Sequence, residues 1–327
     1  MKILVISGFL GAGKTTFIKE LSARIKIKPV ILENEYASVN VDENILKSGT
    51  DLSVWESTEN CICCNGRSDF AFTILTIANS LDPEYLIVEP TGVGYLSKVM
   101  ENISKVEYER ISALSPVTVI DPMSFERGIK QYKDLYLDHI RYAGTIILSK
   151  CDLIRDSGII NGVKEKLSEI NPDADIITTD YRNAGDDLFS GLFDDRKPGM
   201  NISSAASIER EEPDFEELSI LNAGMESIGE LVFFMEELIR FRYGHIIRAK
   251  GTVKVNNELI RADISDTRYL LSQAEKTAKQ GFVLIGEEID KESLRMRLGF
   301  TPLIPIRYNS GVNIINPIDK RRKNYEE

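Results

Sequence analysis

A chain of 327 residues with 40 Lys and Arg against 51 Asp and Glu carries a formal charge of −11, which excludes the concentrated basic face of a nucleic-acid binder. Hydrophobic residues at 43% and charged residues at 28% are the balance of a soluble chain long enough for one large core or two. No apolar run approaches the roughly 20 residues that a membrane crossing needs.

The opening MKILVISGFLGAG imitates a signal peptide, but its residues run straight into GKTT, which gives them another purpose. KILVIS reads as a buried parallel strand, and TTFIKELSARI places Phe17, Leu21 and Ile25 at helical spacing. Between them GFLGAGKTT fits G-x-x-x-x-G-K-[ST], a phosphate-cradling loop. Gly8, Gly11 and Gly13 let backbone N–H groups wrap a phosphate chain, Lys14 reaches the β- and γ-phosphates, and Thr15, with Thr16 beside it, supplies a hydroxyl for Mg²⁺. Without a signal sequence the chain is expected in the reducing cytosol, where disulfides rarely persist.

Next comes NCICCNGRSDF, with Cys61, Cys63 and Cys64 inside four positions. They are too close to bridge one another without strain. Two readings stay open: small buried residues, or soft thiolate ligands suited to Zn²⁺ or Co²⁺. EYLIVEPTG then offers a strand ending at Glu89, which can hold the magnesium shell or polarise a water, and Gly92, whose amide can sense a γ-phosphate. TIILSKCDL ends in a variant of the guanine-reading N-K-x-D: Asp152 can accept from the base, the stem of Lys150 can cover it, and Ser149 replaces Asn. Cys151 has no assigned role. His139 and His245 stand far apart and are assigned no metal.

GFLGAGKTT, ENEYASVNVD, NCICCNGRSDF and EPTG, with SKCD as a variant fifth, together resemble the P-loop GTPases of metalloenzyme assembly, in particular the CobW-like metallochaperone branch. The resemblance covers Met1 to about Asp187 and extends more loosely through IIRAKG and FVLIGEEIDKESLRMRL. It implies a GTPase that binds zinc or cobalt at Cys61, Cys63 and Cys64 and hands it to a client protein or cofactor pathway; with no arginine finger or water-positioning Gln evident, slow intrinsic turnover is expected. Glu33, which heads the switch segment, is carried over as a further metal ligand. Ala37 and Ser38 depart from the branch, Ser38 standing where an acidic residue is usual, and the histidine-rich tract of many relatives is absent.

The strand-like runs KILVIS, PVILE, EYLIVE, PVTVID, TIILS and DIITT alternate with helical stretches. They predict a P-loop α/β domain over 1–190, with a mostly parallel sheet and helices on both faces. A linker is expected at 191–215, a smaller α+β domain at 216–315 and a charged tail at 316–327. SIGELVFFMEELIRF reads as a helix of that second domain, and GTVKVNNELIRADI as a hairpin turning at Asn256-Asn257. The expected cofactors are GTP, Mg²⁺ and Zn²⁺ or Co²⁺, and the expected partner is a client metalloprotein, with a homodimer left open. The rival reading is a GTP-driven activator of a metal- or corrinoid-dependent enzyme that carries no metal itself. A small-metabolite kinase is a third reading, which SKCD opposes.

Overall fold

A computed structural model of the chain describes residues 1–26, 28–33, 53–56, 67–194, 215–265, 267–275 and 278–299. Among these, eight strands form one sheet: β1 (Lys2–Ser7), β2 (Val30–Glu33), β3 (Ser53–Glu56), β4 (Tyr85–Glu89), β5 (Ser112–Ala113), β6 (Val117–Ile120), β7 (Thr145–Leu148) and β8 (Asp175–Ile177). Their order is β3-β2-β4-β1-β6-β7-β8, with β5 added beside β1, and every pairing is parallel.

The alternation along β1 shows why both faces carry helices. Leu4 and Ile6 pack with Phe17 and Leu21 of α1 (Lys14–Arg24), whereas Ile3 and Val5 pack with Ile74 of α2 (Arg67–Ser80) and Val99 of α3 (Leu96–Ser104). A strand buried on both sides cannot alternate apolar with polar, so it reads as a continuous hydrophobic run. Helices α4 (Pro122–Gln131), α5 (Lys133–Arg141), α6 (Ser157–Ile170) and α7 (Asp186–Gly191) complete this unit. The chain leaves β1 towards β2 on one side and later reaches β6 on the other. The carboxyl end of β1 is therefore the switch point where open α/β sheets place ligands.

A second, six-stranded sheet is formed by β9 (Glu216–Leu221), β10 (Gly224–Met225), β11 (His245–Val255), β12 (Glu258–Ser265), β13 (Arg268–Gln273) and β14 (Gly281–Glu287). It is antiparallel apart from the β10–β11 pair. The β11–β12 hairpin turns at Asn256, in the left-handed region at φ 54°, as the Asn-Asn dipeptide predicts. Helix α8 (Ile228–Ile239) covers one face with Leu231, Phe234, Met235 and Leu238, packed on Phe282 and Leu284 of β14. A short helix, α9 (Lys291–Leu298), adds Leu294 and Leu298 to the same core. Val283 and Ile285 of β14 point the other way and join Tyr132, Leu135 and Tyr136 of the first unit in one cluster. The second sheet is thus clamped between α8 and the parallel-sheet unit. Among the described residues, no helix is long and apolar enough to cross a membrane.

Candidate nucleotide site

The loop between β1 and α1 is shaped by its three glycines. Gly8, Gly11 and Gly13 have φ values of 141°, 72° and 100°, a region L side chains rarely adopt, and a Cβ on Gly8 would strike the carbonyl of Val119 in β6. Gly13 stands at the N-cap of α1 with no side-chain cap and no acidic residue in the first turn, so the helix-start N–H groups face an anion site. Thr16 is exposed on that first turn. Lys14 is buried, 7% exposed, and its Nζ donates to the carbonyls of Gly8 at 3.0 Å and Phe9 at 3.4 Å. A phosphate entering the loop offers the same ammonium charged oxygens in place of neutral carbonyls.

The carboxyl ends of β2 and β4 bring the acids to this loop. Thr15 Oγ1 donates to both carboxylate oxygens of Glu89, at 3.0 and 3.2 Å. A hydroxyl and a carboxylate beside a phosphate cradle form the oxygen-only set that Mg²⁺ takes, with waters and phosphate oxygens completing its octahedron. Thr15 and Glu89 are the residues here that would hold it. Glu33 is buried at the end of β2, in register with Glu89 on β4. Thr91, given no role from sequence, has a buried hydroxyl with no hydrogen-bond partner among the described residues. Such an orphan beside Glu89 and Gly92 suits a ligand-lined pocket rather than a closed core.

Gly92 presses its backbone onto the phosphate loop: a Cβ there would lie 2.6 Å from Leu10 N and 2.9 Å from Phe9 C. Both neighbours are main chain, so the loop itself must move. Gly92→Ala is expected to weaken GTP binding by about tenfold, from overpacking of order 1–3 kcal/mol, measured by titration with a fluorescent GTP analogue.

The base loop follows β7. Ser149 Oγ donates to the carbonyl of Ala12 at 2.5 Å, tying this loop to the phosphate loop. Lys150, left-handed at φ 55°, donates Nζ to Gly11 O at 2.7 Å and to Asp121 Oδ2 at 2.9 Å. Serine in place of asparagine thus still joins the two loops. Asp152, on the short 3₁₀ turn Cys151–Leu153, is half-exposed and ion-paired with Arg182 at 2.6 Å. Guanine reading at Asp152 must therefore share or displace that guanidinium. Cys151 donates to Leu148 O at 3.4 Å, and burial, with Asp180 and Asp152 nearby, pushes its thiol up to about 11. Without a metal it is a thiol at neutral pH.

Asp121 had no role in the sequence reading. It follows β6, caps α4 by accepting from Met123 N at 2.9 Å and holds Lys150, with only 3% of its surface exposed. The Asp-Pro step, an N-cap followed by proline at N1, was the available signal for a cap, though not for the lysine contact. His139 is wholly buried behind the loop, its Nδ1 3.1 Å from Ser7 Oγ, and burial first, then Lys14, lowers its pKa to about 3. It is neutral at physiological pH and packs as core. Cys61, Cys63 and Cys64, and the switch segment beyond Glu33, lie outside the described residues, so no ligand set is assembled here from the thiols.

A parallel sheet with a glycine cradle, an acidic strand end and a tethered base loop at one switch point defines a P-loop nucleoside triphosphatase. The CobW/HypB/UreG nucleotide-binding domain family matches residues 2–178, and the chain belongs to that family of GTPases. It is 26% identical over 237 residues to "Zinc-regulated GTPase metalloprotein activator 1" of Dictyostelium discoideum, covering 60% of this chain and 50% of that protein. It is 22% identical over 314 residues to "Zinc chaperone YjiA" of Escherichia coli, covering 90% of this chain and 96% of that one. A Zn(II)-bound crystal structure of E. coli YjiA GTPase superposes with a TM-score of 0.44 at 20% identity, over 91% of this chain and 97% of that one.

Proposed function

We propose that the chain is a GTP-hydrolysing metallochaperone in which nucleotide state controls a thiolate metal site. The observation that carries the reading is the convergence of three loops on one point: Lys14 in the glycine cradle, Glu89 on Thr15, and Ser149 and Lys150 on the carbonyls of Ala12 and Gly11. Such a cluster senses a nucleotide at phosphate, metal and base together. Asp152 supplies the guanine preference and Gly92 the γ-phosphate contact. Mg-GTP orders the segment that begins at Glu33, and a zinc or cobalt cargo binds Cys61, Cys63 and Cys64 with Glu33 as a fourth donor. Hydrolysis relaxes these loops and releases the metal to a client protein. Intrinsic turnover is slow until a partner accelerates it. In this reading residues 1–190 are the GTPase domain, 191–215 the linker, 216–315 the second domain and 316–327 a tail, all acting in the cytosol.

The names of the relatives support zinc as the cargo, since two of them are a zinc chaperone and a zinc-regulated activator. The test is an anaerobic Co²⁺ titration of the reduced protein with and without magnesium and a non-hydrolysable GTP analogue. Thiolate charge-transfer bands should appear and their midpoint should fall about tenfold or more with nucleotide, within the usual span of allosteric coupling. Absence of the bands in both states would reject the metal site. The second reading, an activator that carries no metal, is favoured by Ser38, where an acidic donor is missing.

A further inference from the structure

The second sheet reaches into the nucleotide site. At the end of β12, Ser265 Oγ lies 3.4 Å from Gly11 O, and the Ser265 side chain fills the place a Cβ on Gly11 would take. At the start of β13, Arg268 is ion-paired with Asp121 Oδ2, the same oxygen that accepts from Lys150. Lys150 in turn holds Gly11 O. Between them Thr267 Oγ1 accepts from Arg127 Nη2 of α4 at 3.1 Å. The turn from β12 to β13 therefore touches the phosphate loop, the carboxylate behind the base loop and the helix that this carboxylate caps.

The charges on the same face of the sheet accord with that contact. Burial first, and then Arg268, lower the pKa of Arg127, which donates to Thr267 beside Arg268. On α1, burial and then Arg261 and Lys250 lower that of Lys19, with Glu33 acting in the opposite sense. Lys250 on β11 and Arg261 and Ser265 on β12 are on the face opposite α8, as the period of two along the strands requires. Cations gathered where a polyphosphate is expected are repelled by one another and attracted by the ligand.

We propose that Ser265, Thr267 and Arg268 are a wall of the nucleotide site and that Arg268 is a positioning residue which, through Asp121, sets Lys150 against Gly11 and the base. Asp121 is all but sealed from water, and one of its oxygens serves both cations. With Arg268 removed, Oδ2 of that carboxylate loses one of its two cationic partners, and Lys150 loses the guanidinium that fixes the carboxylate it rests on. By linkage, a nucleotide that draws on Lys150 and Gly11 also biases the hold of the second sheet on the first unit. The inference rests on the guanine-nucleotide reading given above.

The test measures affinity for a fluorescent GDP analogue on the full chain, as wild type, Arg268→Gln, Arg268→Lys, Asp121→Asn and the Asp121→Asn/Arg268→Gln pair. Arg268→Gln should weaken binding about fivefold or more, and Arg268→Lys should recover most of that loss. On the Asp121→Asn background, Arg268→Gln should add nothing, because its route has been removed. Wild-type affinity in Arg268→Gln, or the same loss on both backgrounds, overturns the proposal. A loss that lysine does not restore, accompanied by a lower unfolding midpoint, marks a packing role and overturns it too. Should Asp121→Asn fail to fold, the glutamine and lysine variants decide alone. If the wild type binds no GDP, the nucleotide reading falls first and the inference with it.

Discussion

Lys14→Ala is expected to lower single-turnover GTP hydrolysis by about 10²–10³-fold and to weaken GTP binding by about 10–100-fold. The binding loss follows from charge-assisted hydrogen bonds to phosphate worth about 1.5–3 kcal/mol. The larger loss in rate follows because charge grows on the transferring group, where one preorganised donor is worth about 2.7–4 kcal/mol. Stability should change little. Truncation removes the cost of burying an ammonium together with its hydrogen bond to Gly8 O at 3.0 Å, two changes of opposite sign. Thermal unfolding of the variant within a few degrees of wild type, together with retained hydrolysis, would remove Lys14 from the mechanism. Glu89→Gln separates the roles further. It keeps an acceptor for Thr15 but loses the charge, so magnesium dependence should shift to higher concentration while magnesium-free GDP binding stays near wild type.

The parts of this molecule legible in the sequence are those whose physics is local. The parallel strands are runs buried on both faces, so Ile3 to Ile6 announce themselves without knowledge of their partners. Gly8, Gly11 and Gly13 are legible because each stands where the backbone turns left-handed. The four-residue β3 was missed: SVWE lacks the continuous apolar run by which the equally short β2, β6 and β7 were read. Ser149 was read only as a replacement for asparagine; that its hydroxyl ties two loops together, across 137 positions, is something no local pattern encodes. Arg268 was invisible for the same reason, standing 147 positions from Asp121 and in another sheet. The pair Asp152–Arg182 could not be foreseen either, although it bears directly on guanine reading. In each case the missing information is tertiary: which polar group of one loop meets the buried carbonyl or carboxylate of another.

Replacing Cys61, Cys63 and Cys64 together by alanine is expected to abolish the thiolate bands of bound Co²⁺ and to weaken cobalt or zinc binding by about 10³-fold or more. Each thiolate lost from a tetrahedral site removes both a soft ligand and the charge that the cation neutralises. Ordinary nucleotide affinity should survive within about twofold in metal-free buffer, because the groups that build the cradle lie on β1, α1, β4 and β7. What must vanish is the coupling: if GTP tightens metal in the wild type, metal tightens GTP by the same factor, and in the variant both factors fall to one. The short path for that coupling is the end of β2, where Glu33 stands in register with Glu89, whose carboxylate accepts from Thr15. A magnesium held by Thr15 and Glu89 would stand one strand away from the residue that heads the switch segment. Affinity should also rise with pH across the thiol range, since the ligands must shed protons before they bind. A variant that still activates its client without binding metal would transfer the function from carrier to conformational activator, with the nucleotide switch intact in both.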